Sequence, residues 1–80
     1  MSVFEKVKQA ILELDPTDQA ITKESKFKED LGLDSLDAIE LAMRLEEEYV
    51  VELDDDELDG TETVGQLVTM IESKVNGSRN

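Results

Sequence analysis

Eighty residues, 39% hydrophobic and only 4% aromatic, make one small domain over 1–80 whose core must be filled by aliphatic side chains. The absence of Cys and His excludes disulfides, thiolate chemistry from the chain's own side chains, and the usual general base near neutral pH. A formal net charge of −13 excludes nucleic acid and favours basic protein partners, and no apolar run approaches membrane-spanning or signal-peptide character, so a cytoplasmic monomer is expected.

Ser2-Val3-Phe4-Glu5 is a capping-box pattern, after which Phe4, Val7, Ile11 and Leu14 recur at helical spacing until Asp15-Pro16 stops them. A first helix over about residues 3–14, with one buried stripe, is expected. From Pro16 to Leu33 no period is sustained. Ile21, Phe27 and Leu31 are expected to pin a long ordered loop to the core, and Gly32 suits a turn with positive φ.

Asp34 is a good N-cap, and Asp37 adds a second negative group to the first turn of the next helix, favourable against its dipole. At about 100° per residue, Ala38, Leu41, Ala42, Leu45 and Tyr49 share one face, with Ile39 at its border. Leu36 and Met43 point the other way, among Asp37, Glu40, Arg44 and Glu47. Single exposed apolar residues are ordinary on protein surfaces. Two of them one helical repeat apart, ringed by acids, favour a docking stripe. The acidity is concentrated here: residues 34–60 hold twelve Asp or Glu against Arg44 alone. Such a run is most often a solvated face; beside the apolar pair it also suits a label for basic proteins.

Val50-Val51-Glu52-Leu53 leads out of this helix, and Asp54 to Gly60 forms one short turn anchored by Leu58. Thr63-Val64-Gly65-Gln66 is a second capping-box pattern, opening a last helix with Val64, Leu67, Val68, Ile71 and Val75 as its buried stripe. Asn76-Gly77 reads as its C-cap and about 77–80 as a flexible tail. The fold class is therefore all-α: a small four-helix bundle of three longer helices and one short one, with a long loop between the first and second.

The residues exclude two chemistries more firmly than they establish a third. Ser35 is no hydrolytic nucleophile, because no His can take its proton and no glycines flank it in a nucleophile elbow. Calcium fares little better, so no metal site is assigned. Asp55, Glu57 and Asp59 align with the first ligands of an EF-hand loop, but the essential twelfth position is Gln66. A serine at a helix start can instead be the substrate of another enzyme, since free amides and the helix dipole favour phosphate oxygens there. It can also simply help to start the helix.

The stretch Leu31-Gly32-Leu33-Asp34-Ser35-Leu36-Asp37, followed by Glu40-Leu41 and Leu45-Glu46-Glu47-Glu48-Tyr49, closely resembles the acyl carrier proteins of dissociated fatty acid synthesis, and the likeness extends from the first helix to Ile71. The resemblance implies a carrier and not an enzyme. A phosphopantetheinyl transferase would move the 4′-phosphopantetheine of coenzyme A onto Ser35, and the arm's terminal thiol would carry acyl chains as thioesters. It also implies docking of the second helix on basic patches of fatty acid synthesis enzymes, through Asp34, Leu36, Asp37, Glu40, Met43, Glu46 and Glu47, with the acyl chain sheltered near Ala38 and Ala42. Leu33, Asp54 and Thr61 depart from the family pattern. The last two are expected to leave the short helix poorly anchored, and all three leave open a specialised carrier for polyketides, lipid modification or D-alanyl transfer.

Overall fold

The computed structural model describes residues 2–77, so the expected tail at 78–80 lies outside the described residues. Four helices follow in order: α1 (Val3–Leu14), α2 (Ser35–Tyr49), α3 (Asp55–Asp59) and α4 (Val64–Gly77). The all-α bundle and the long first loop are thus as expected. Helix α1 is the central element, packing against both α2 and α4.

Each helix buries one stripe. Val7, Ala10 and Ile11 face inward from α1, Leu41, Ala42 and Leu45 from α2, and Val64, Leu67, Val68 and Ile71 from α4. Ile11, Leu45, Ile71, Val7 and Val64 are the largest of the fully enclosed side chains. Each contributes roughly 1.5–3 kcal/mol by leaving water. Phe4, Leu14, Tyr49 and Val75 are only partly buried and close the periphery of the same core. Ion pairs Lys6–Glu48 and Arg44–Glu13 fasten α1 to α2 at the rim.

The helix ends are satisfied in different ways. At α1 half of the expected box forms: the Glu5 N–H donates to Ser2 Oγ at 3.1 Å. Asp34 and Asp37 complete a reciprocal box at the start of α2, with Asp37 N–H donating to Asp34 Oδ1 (2.9 Å) and Asp34 N–H to Asp37 Oδ2 (3.3 Å). The same reciprocity joins Thr63 and Gln66 at α4. Helix α2 ends at Val50, a non-glycine residue in the left-handed region at φ 53°. Its side chain is turned out into solvent, and its N–H and that of Val51 both reach the Glu46 carbonyl.

The loop before α2 is held by more than its apolar anchors. Ile21, Leu31 and Leu33 are buried and Phe27 partly so, while Gly32 takes φ +67°. Ser25 is also buried, its Oγ accepting the Thr22 N–H at 2.9 Å. Lys26 and Thr63 form an antiparallel bridge, and Phe27 N–H donates to the Glu62 carbonyl. Two N–H groups of the first turn of α4 donate back into the loop: Val64 to Ser25 O (3.0 Å) and Gly65 to Lys23 O (2.8 Å). A buried helix start needs such acceptors; here the loop supplies them.

The short helix has no buried residue, in keeping with the weak apolar anchoring expected from Asp54 and Thr61, and polar bonds stand where apolar ones are missing. Glu57 accepts the Asp54 N–H (3.1 Å) and an ion pair from Lys74 of α4 (3.0 Å). Thr61 donates its hydroxyl to the Glu57 carbonyl at 2.8 Å, and Leu58 packs on the core. The Lys74 hydrogen bond, then the Asp54 amide, hold the Glu57 carboxyl below its ordinary range. A carboxylate whose pKa is depressed by folding stabilises the fold above its unfolded pKa, and that contribution is lost as pH falls through the folded value. Acidification below the ordinary glutamate range should therefore loosen α3 before the three long helices. Amide shifts of Asp54 and Glu57 should follow that titration, and Glu57→Gln should abolish it; an α3 that loosens only together with the bundle would contradict this anchoring.

Candidate functional site

Ser35 occupies the first position of α2, directly after its cap, and its side chain is exposed. The position follows from local chemistry. Gly32 supplies the left-handed turn, Leu33 is buried and donates its N–H to the Phe27 carbonyl (2.8 Å), and the Asp34–Asp37 box fixes where the helix begins. The serine therefore projects from a junction tied by main-chain and capping hydrogen bonds.

Beside it lies a groove of about 670 Å³ between the loop, the start of α2 and α3. Phe27, Leu33, Ala38, Ile39 and Leu58 give it an apolar lining, and Lys26, Lys28, Asp55 and Asp59 stand among its charged residues. Of the two small residues expected near such a space, Ala38 lines it. Ala42 does not; it is packed into the core. Ile39 is the residue that sequence reasoning undervalued. Periodicity put it at the border of the buried face, but it is 48% exposed and borders the groove. Its signal lay in its place, one turn beyond Ser35.

The other candidate positions separate into two groups. Leu36, Glu40, Met43 and Glu47 are exposed along one face of α2, with Leu36 at 74% and Met43 at 55%. Spacings of four, three and four residues keep them in one stripe. Asp34 and Asp37 are committed to each other at the cap. Glu46 is drawn away: it is half-buried, and its Oε2 accepts the Leu53 N–H at 2.9 Å, tying the exit loop to α2. That bond spans seven residues, and no local pattern announces it.

The acids of α3 are not arranged as a calcium loop. Asp55, Glu57 and Asp59 lie on a helix, and Gln66 spends its Oε1 on the Glu62 and Thr63 N–H groups. Among the described residues no three His, Cys, Asp or Glu side chains gather as metal ligands would. No helix among them is long and apolar enough to cross a membrane.

A family model described as a phosphopantetheine attachment site matches residues 5–71. The chain is 43% identical over 74 residues to an acyl carrier protein of Wolinella succinogenes, covering 91% of this chain and 97% of that one. Among solved structures it is similar to an acyl carrier protein of Thermotoga maritima, at TM-score 0.78 and 26% identity over 95% of this chain and 94% of the other. A candidate acyl carrier protein of Mycobacterium tuberculosis superposes at TM-score 0.84 with 28% identity, over 90% of this chain and 97% of its own.

Proposed function

Because the chain belongs to the acyl carrier protein family, whose prosthetic group is phosphopantetheine, we propose that Ser35 bears the 4′-phosphopantetheine arm and that the protein delivers acyl chains to enzymes of fatty acid synthesis in the cytoplasm. The observation that carries this reading is an exposed hydroxyl on a capped helix start beside a groove of about 670 Å³.

The residues fit such a group. The Asp37 N–H is given to Asp34 Oδ1, but the Ser35 and Leu36 N–H groups, which no helical carbonyl reaches at a helix start, suit phosphate oxygens, and the apolar side of the groove suits an aliphatic chain. When bound, the arm supplies a thiol that this cysteine-free protein lacks. The protein's own part is passive. Ser35 offers its oxygen to a transferase, the Asp34–Asp37 box keeps that oxygen in place, and Ile39, Leu33, Phe27 and Leu58 shelter cargo from water. The stripe of Leu36, Glu40, Met43 and Glu47 would meet basic patches on the transferase and on later enzymes, with charge giving fast and transient encounters.

Intact mass tests the reading. Incubated with coenzyme A and a phosphopantetheinyl transferase, the wild-type protein should gain the mass of the arm and Ser35→Ala should gain nothing. No gain by the wild type, or an equal gain by both, would end it.

A further inference from the structure

A phosphodiester added at Ser35 enters a negative field. Asp34 and Asp37 flank the serine, and the Asp37 N–H is already given to Asp34 Oδ1. Asp55 and Asp59 stand among the residues of the same groove. Two cations share that groove, Lys26 and Lys28. Lys26 is engaged, with its ammonium 3.2 Å from Glu29, and that contact raises its pKa. Lys28 is exposed and makes no ion pair among the described residues.

Backbone geometry brings Lys28 to the right place. The Leu33 N–H donates to the Phe27 carbonyl at 2.8 Å, so the chain is clasped at those two residues. Lys28 opens the loop that this bond closes, Ser35 follows two residues after it, and both line the same groove. A lysine's four-carbon stem is flexible, and its ammonium acts as a point charge needing no fixed angle. Resting on Ser35 as the attachment point, we infer that Lys28 is a positioning residue that pairs with the phosphodiester of the arm, offsetting Asp34 and Asp37 and holding the arm's root over the groove. A cargo carboxylate is a poorer partner, because reaching Lys28 would take it through the acids that line the groove, whereas the phosphodiester is delivered to its position by the covalent bond.

The test is the side-chain Cε and Nζ signals of the lysines by NMR, at one pH, in the unmodified and the fully modified protein, with conversion verified by mass. The Lys28 signals should shift on modification, and those of Lys8 of α1 should not. A merely structural lysine would give the same signals in both forms. An unchanged Lys28 in fully converted protein overturns the pairing and leaves the carrier assignment standing. A shift seen only when the arm carries a dicarboxylic acyl group overturns it too, since the partner would then be the cargo. Failure of the wild-type protein to gain mass, in contrast, is the failure of the Ser35 assignment itself.

Discussion

Truncating Leu36 and Met43 together to alanine is expected to lower kcat/KM of a phosphopantetheinyl transferase on this protein by on the order of thirtyfold, while the melting temperature stays within a few degrees. The two effects separate because of where the side chains are. Leu36 is 74% and Met43 55% exposed, so truncation empties no cavity, and alanine is at least as good a helix former as either. In a docked complex the same groups, with the half-exposed Ile39 at their border, would be large apolar side chains on an otherwise acidic face. Apolar anchors at the centre of an interface commonly carry about 2 kcal/mol between them, and that is the thirtyfold loss. Neutralising Glu40 and Glu47 to glutamine should act differently, slowing encounter at low ionic strength and losing its effect as salt screens the field. An unchanged kcat/KM for the Leu36/Met43 variant would remove the docking stripe. A collapse of stability would show that the pair packs on something in solution. Glu46 lies outside this scheme despite its place in the acidic run. Its carboxylate is the acceptor for the Leu53 N–H, and replacing it should loosen the exit of α2 more than it slows docking.

What the sequence discloses and what it withholds divide along range of interaction. The extent of α1, the cap at Asp34, the positive φ of Gly32 and the Thr63–Gln66 box are all written in runs of a few residues, and the structure has each of them. Ser35 stands out in the same way, as a hydroxyl between a turn glycine and an acidic helix. The groove does not. It is made by three separate segments, and its depth depends on Ala42 being taken by the core while Ile39 is left outside. Val50 is the sharpest local surprise. Intrinsic preference argues against a β-branched residue in the left-handed region, yet it caps α2 there with its side chain in solvent. The polar anchoring of α3 is equally invisible from composition, since the partner of Glu57 is Lys74, seventeen positions away.

Gly65→Ala should destabilise the fold by about 2 kcal/mol, although helix propensity alone predicts a gain of about 1 kcal/mol in the opposite direction. Gly65 lies in the first turn of α4, and a methyl group there would sit 2.9 Å from the Lys23 carbonyl oxygen and 3.1 Å from its Cβ. The obstructing oxygen is main chain, and it is the same oxygen that accepts the Gly65 N–H at 2.8 Å. The loop must therefore back away from the helix and lose the bond, along with the neighbouring one from Val64 to Ser25. Gly60→Ala is the matched control. Its added methyl would lie 3.8 Å from the nearest atoms, at a φ of −83° that any residue adopts, and it should change stability by no more than about 0.5 kcal/mol. Denaturant unfolding of the two variants gives the comparison directly. The loss should also be felt at the site, because the displaced loop continues through Lys26 and Phe27 to the clasp at Leu33 that sets the position of Ser35. A change in the Leu33 amide chemical shift in Gly65→Ala, with that of Leu45 on α2 left in place, would trace that route. If the Leu33 signal stays in place, the loop is not the link between α4 and the serine.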